Sequence, residues 1–170
     1  INAAFIEGDA FHRYDRLEMK QVMGEEAKKG NHHFSHFGLK ANLLSELEAV
    51  FQQFGETGTG KTRHYVHDED EEQLYGSPPG TFTAWQPIAG DTELLFYEGL
   101  HGAVVTDEVN LARYCDLKIG VVPVVNLEWI QKIHRDQMDR GYSHDAIKDT
   151  ILRRMPDYLD YICPQFSQTD

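Results

Sequence analysis

Residues 55 to 62 read GETGTGKT, a complete match to the phosphate-loop pattern G-x-x-x-x-G-K-[ST]. The pattern constrains the chain through what must flank it. A phosphate loop works when a strand delivers a glycine-rich turn straight into a helix N-terminus, where backbone N–H groups and the helix dipole hold the anion. Here residues 41–54 (ANLLSELEAVFQQF) precede the run, and Leu44, Leu47, Val50, Phe51 and Phe54 recur at helical spacing. The residues that follow, HYVHDEDEE, open a helix poorly and pass into an acid run. Both flanks are therefore wrong. The spacing predicts a helix that stops at Gly55, then a Gly/Thr loop. Lys61 is not assigned to a nucleotide.

The rest of the chain alternates apolar runs with helical patterns. Residues 3–6 read as a buried strand, and residues 16–29 have helical composition. Residues 30–36 form a polar, His-rich turn, and residues 76–87 (GSPPGTFTAWQP) form a loop. Residues 93–97 give a second strand. Residues 117–125 (LKIGVVPVV), rich in β-branched residues, give a third, with Pro123 marking its end or an edge. A helix is expected over 126–140 with Gly141 as its stop, and Ser143 can cap another through Arg154. Strands alternating with helices predict an α/β fold with a parallel sheet. The net charge of -12 disfavours nucleic acid or an anionic membrane as main partner. No apolar run is long enough to span a membrane. The two cysteines form no metal or redox motif, which fits a reduced cytoplasmic setting. The chain opens on Ile1, close to a strand, and closes without a recognisable terminator, as expected of a piece of a longer protein.

Two strand-like runs end in a carboxylate beside a glycine, FIEGD and LLFYEG. Ligands in open parallel sheets bind beyond the carboxyl ends of strands. Asp9 and Glu98 are therefore either partners in one crevice or separate helix-capping acids. In the crevice, one would take a proton from a hydroxyl and the other would hold Mg²⁺. His12, Arg13 and Arg16 follow Asp9 and suit a phosphorylated, hydroxylated substrate; a surface helix start of mixed charge is the alternative. Lys132, Arg135 and Asp136 share one helix face, extended a turn by Arg140, with Leu127 and Ile130 roughly opposite and free to pack. That face either neutralises a migrating phosphoryl group or is a salt-bridged solvent face. Tyr65 and His67 fall on one side of an alternating stretch, lining a pocket or decorating an edge strand. His32, His33 and His36 lack the glutamate and third ligand of a zinc helix and read as a polar turn.

Taken in order, EGDAFHRYDR, HFSHFGLKANLL, RHYVHDEDE, LLFYEGLHGAVV, DLKIGVVPVVNLEWIQKIHRD, GYSHDAIKDTILRRMPDY and ICPQFSQTD closely resemble the bacterial-type phosphoribulokinases over essentially the whole chain. The resemblance implies a P-loop kinase-like three-layer α/β sandwich with a mainly parallel sheet. Residues 1–170 would form one partial domain, incomplete at both ends. The true phosphate loop would precede Ile1, a further sheet region would follow Asp170, and the isolated piece would have little activity. The implied reaction is ATP-dependent phosphorylation of ribulose 5-phosphate at O1, a step of the Calvin cycle, with Mg²⁺. On the same resemblance Asp9 is the catalytic base, Asp136 a second important acid, and Glu98 the Walker B carboxylate at the Mg²⁺–ATP site. His12, Arg16 and Arg140 match sugar-phosphate contacts, with Tyr65 and His67 beside them. Lys132 and Arg135 match a phosphate-stabilising pair, and Arg153 and Arg154 a pair linked to lid or regulatory behaviour. Gln137 stands where many relatives have Arg. The redox-switch cysteines of plant-type enzymes have no counterpart, so control by NADH is expected, in a homo-oligomer. A uridine kinase-like relative and a non-catalytic binding module are the competing readings.

Overall fold

Along the chain run β1 (Ala3–Glu7), α1 (Arg16–Lys28), α2 (Leu44–Thr57), β2 (Lys61–Thr62), α3 (Glu69–Tyr75), β3 (Gln86–Pro87), β4 (Leu94–Glu98), α4 (Val125–Met138) and α5 (His144–Asp157). The structure is a computed structural model and describes residues 1–122, 124–138 and 141–170. Short 3₁₀ turns follow β1 (Gly8–Phe11) and precede α2 (Leu39–Ala41).

The two apolar runs that end in an acid pair as parallel strands. Ala3 lies opposite Leu94, and Glu7 opposite Glu98. A parallel pair cannot be closed by a hairpin. The chain between β1 and β4 therefore makes a long crossover that holds α1, α2, α3 and the small antiparallel β2–β3 pair. Ile6 on the inner face of β1 packs with Phe11, with Leu44, Leu47, Val50 and Phe51 of α2, and with Ile88, Val104, Val109 and Leu111. On the outer face Phe5 and Phe96 stack with centroids 5.3 Å apart while each stays half exposed.

Local chemistry explains the helix ends. Asp15 and Glu18 form a complete capping box at the start of α1. Ser143 caps α5 by accepting from the Ala146 N–H. α2 runs past Gly55, the expected stop, to Thr57 and ends at Gly58, whose φ is +66°. Gly55 sits in an ordinary helical turn, and of these two glycines it is Gly58 that takes the left-handed conformation that favours glycine. The acid run forms α3, a helix absent from the sequence expectation. Asp68 caps it, and Glu69, Asp70, Glu71 and Glu72 fill its first turn, where the helix dipole favours negative charge.

Two other expectations fail. Residues 117–125 form no strand among the described residues; Pro123 lies outside them. Leu117, Ile119, Val121, Val122 and Val124 are exposed, and the main tie of the segment is Lys118 to Asp170 at the chain's end. β-branched composition needs a backbone partner to make a strand, and none lies alongside among the described residues. Leu127 and Ile130 also stay exposed, because α4 turns its Trp129, Lys132 and Asp136 side inward. Arg140 lies outside the described residues. Among the described residues, no helix is long and apolar enough to cross a membrane.

Gly8 and Gly99, just beyond the paired strands, touch closely. A Cβ on Gly99 would stand 2.7 Å from the Gly8 Cα and 2.6 Å from the Tyr97 hydroxyl. Gly99→Ala should therefore destabilise the protein by about 1–3 kcal/mol in denaturant unfolding. Gly24→Ala, inside α1 with open space around it, should stabilise by up to about 1 kcal/mol. Equal, small effects of the two changes would contradict this packing.

Candidate functional site

The contact between Gly8 and Gly99 brings the carboxyl ends of β1 and β4 side by side. The Gly8–Phe11 turn then presents Asp9, and β4 ends on Glu98, so the two acids expected to share a crevice stand on neighbouring strand ends. Glu98 is exposed and, among the described residues, makes no ion pair. Asp9 lies between two imidazoles. Its Oδ1 is 3.4 Å from His12 Nε2, and its Oδ2 is 3.6 Å from His67 Nε2.

Behind Asp9 the site is lined with buried histidines. His12 stacks on His36, with centroids 3.9 Å apart and planes 27° apart. Burial, then the charges of His101 and Arg154, pull the His12 pKa down to about 3. Burial, then His12 and Arg154, pull His36 down to about 3 as well. Burial also lowers His101, opposed by its Nε2 contact with the Phe37 carbonyl at 3.0 Å. At neutral pH the Asp9 carboxylate therefore faces a neutral His12. Burial pushes the neighbouring Tyr97 hydroxyl up, and the nearby Glu98 and Asp9 charges push the same way.

The flank expected to hold a phosphorylated substrate is also assembled. Arg16 donates from Nη2 to the His67 carbonyl at 2.9 Å, and its backbone N–H donates to Gly80. The Tyr65 ring lies 5.0 Å from His67 and 6.2 Å from His12. Tyr65 and His67 do share one side, as their alternation implies. On α4, Lys132 Nζ reaches Asp136 Oδ2 at 2.5 Å, and Arg135 Nε reaches Asp136 Oδ1 at 3.3 Å. Burial lowers Lys132, while its contact with buried Asp136 works the other way. Arg154 of α5 links the groups: its charge acts on His12, His36 and Lys132, and its guanidinium lies 5.3 Å above Phe37. Arg153 faces away, towards Met23 of α1.

Three residues at this site were not assigned to it from sequence. His36, read as part of a polar turn, points inward onto His12, while His32 and His33 stay exposed. His101 is buried beneath the same cluster. Arg63 donates to the carbonyls of Ala10 and His12. The alternation that pairs Tyr65 with His67 reaches Arg63 if extended two residues back, so a signal for it was present. Lys61 is exposed in β2, 5.2 Å over the Trp85 ring, and belongs to none of these groups.

The depressed histidines set an acid limit on stability. Above pH 6.5 the imidazoles are neutral in both folded and unfolded chains. As pH falls from 6.5 towards 3, the unfolded chain takes protons that folded His12 and His36 refuse. Unfolding free energy should drop by up to about 1.4 kcal/mol per pH unit for each histidine. Denaturant unfolding across a pH series should show this slope, made shallower by His36→Gln. A flat profile just below pH 6.5 would contradict the buried neutral cluster.

Comparison with known proteins places this geometry. The sequence profile of the phosphoribulokinase/uridine kinase family matches residues 1–170. The chain is 69% identical over 170 residues to a phosphoribulokinase of Nitrobacter vulgaris, covering all of this chain and 59% of that protein. It is 64% identical over 170 residues to a phosphoribulokinase of Rhizobium meliloti, covering all of this chain and 58% of that protein. The chain thus spans less than two thirds of the length of these relatives. Its fold superposes on the solved phosphoribulokinase from Rhodobacter spheroides with a TM-score of 0.88 at 56% identity, over all of this chain and 59% of that one. The α/β, P-loop kinase-like fold expected from the sequence is therefore the fold observed, and the chain belongs to the phosphoribulokinase/uridine kinase family.

Proposed function

We propose that the full-length protein transfers the γ-phosphoryl group of ATP to the O1 hydroxyl of ribulose 5-phosphate. The observation that carries this reading is Asp9, a half-exposed carboxylate beyond a parallel strand and backed by buried histidines. Asp9 accepts the proton as the hydroxyl oxygen bonds to the γ-phosphorus; the bond from that phosphorus to the bridging oxygen breaks, and ADP leaves. His12, held neutral by burial, orients the carboxylate without neutralising it. Arg16, Tyr65 and His67 form one flank and hold the sugar phosphate, with Arg140 assigned there by resemblance alone. Lys132 and Arg135 counter the charge of the phosphoryl group in transit, and Asp136 fixes their position. The relatives, named as phosphoribulokinases, favour the sugar phosphate over a nucleoside.

A Mg²⁺ ion fits Glu98, which is exposed at a strand end and free of ion pairs among the described residues. Mg²⁺ commonly uses one or two carboxylates and completes its shell with water and substrate phosphate. When bound it would neutralise phosphate charge. On the family resemblance we also assign a cytoplasmic homo-oligomer with NADH as effector.

In the full-length protein, Asp9→Asn should lower turnover by about 10²–10⁴-fold with the fold retained. Lys132→Met should cost about 10²–10³-fold, whereas Lys61→Ala should stay within about threefold. A coupled ADP-release assay with ribulose 5-phosphate measures all three. Asp9→Asn at wild-type rate, or a collapse of ATP binding in Lys61→Ala, would overturn the assignment. Preference for a nucleoside in a substrate panel would favour the uridine kinase-like reading.

A further inference from the structure

We propose that Arg63 is a positioning residue for Asp9, an inference that rests on the kinase reading above. Its Nε donates to the Ala10 carbonyl and its Nη2 to the His12 carbonyl, both at 2.8 Å. The guanidinium thus bridges two carbonyls of the segment that carries Asp9. Backbone bonds tie the same segment elsewhere, from His12 N–H to the Asp9 carbonyl at 3.2 Å, from Leu43 N–H to the Phe11 carbonyl at 2.7 Å and from Arg13 N–H to the Ala41 carbonyl at 2.8 Å. Arg63 takes the Ala10 and His12 carbonyls that these leave.

The cation is fixed from its other side too. Its carbon lies 3.6 Å from the Phe82 ring centroid and 4.7 Å from that of Trp85. Trp85 meets Phe11, the central residue of the bridged segment, edge-on at 5.4 Å. Arg63 is half-buried, and among the described residues no carboxylate forms an ion pair with it. Its hydrogen bonds to the bridged segment instead go to backbone carbonyls that hold a reacting group in place.

The chemistry requires arginine. Only a planar guanidinium stacks on an aromatic face while sending two N–H groups to separate carbonyls in fixed geometry. A lysine ammonium offers a point charge and no plane. Proton transfer depends on the distance between carboxylate and hydroxyl, and a displacement of about 1 Å costs about 10²-fold in rate. Arg63 touches no reacting atom; it acts through the turn.

The test uses Arg63→Lys and Arg63→Ala in the full-length protein, with wild type as control. For Arg63→Lys, kcat should fall at least about tenfold while KM for ATP stays within about twofold. Hydrogen exchange in the segment 8–13 should speed up at least about tenfold, with α2 unchanged. Ethylguanidinium should restore kcat in Arg63→Ala, and ethylammonium should not. Wild-type kcat and exchange in Arg63→Lys would overturn the proposal. So would a loss that follows only the folded fraction, without rescue. If Arg63→Ala does not fold, Arg63→Lys and the exchange measurement decide. A wild-type protein inert towards ribulose 5-phosphate would sink the kinase reading itself. Exchange in segment 8–13 would still report separately whether Arg63 holds the turn.

Discussion

The parallel pairing of β1 with β4 is the constraint on which the rest of the structure depends. It fixes Glu7 opposite Glu98 and forces the chain between them into a long crossover. That crossover supplies α2, whose Leu44, Leu47, Val50 and Phe51 close the core over Ile6. Where the pairing ends, Gly8 and Gly99 come so close that no side chain fits between them. Two carboxylates on different strands are thereby delivered to one edge. A larger residue at either glycine would separate those strand ends.

Electrostatics then give the two acids different surroundings. Asp9 lies against His12, which burial keeps neutral, and against His67, and no Lys or Arg forms an ion pair with it among the described residues. The cations stand further off. Lys132 and Arg135 converge on the buried Asp136, which neutralises part of their charge and holds both in place. Arg154 lies between the histidines and this cluster, acting on both. Positioning and charge stabilisation carry most of the catalysis of phosphoryl transfer, and the proposed roles of Asp9 and of the Lys132 cluster rest on this separation.

Much of this was legible in sequence, for reasons specific to each element. FIEGD and LLFYEG announced themselves as strands ending in acids, though of the two strands only Ile6 is buried and not the whole runs their composition suggested, and the α2 stripe followed from its spacing. The long motifs around Asp9, Glu98 and Lys132 pointed to the family that the whole-chain match then established. The failures come from interactions that a local window does not contain. α3 forms because its acids fall in a first turn behind Asp68, a placement that composition alone disguises. Residues 117–125 have strand composition, but a strand is a pairing, and among the described residues no partner lies beside them. His36 seemed a turn residue until the fold laid it on His12. GETGTGKT resembles a phosphate cradle; in the fold its first residues end α2, Gly58 turns the chain, and Lys61 begins a short strand that carries Arg63 to the Asp9 turn.

The central claim is that Asp9 accepts the proton of the attacking hydroxyl. A crystal structure of the full-length protein with ribulose 5-phosphate and a non-hydrolysable ATP analogue tests it most directly. The account predicts the O1 hydroxyl within about 3.2 Å of an Asp9 carboxylate oxygen, with the γ-phosphate on the Lys132 side. A substrate bound with Asp9 out of hydrogen-bond reach of O1, or a γ-phosphate seated on Lys61, would contradict it.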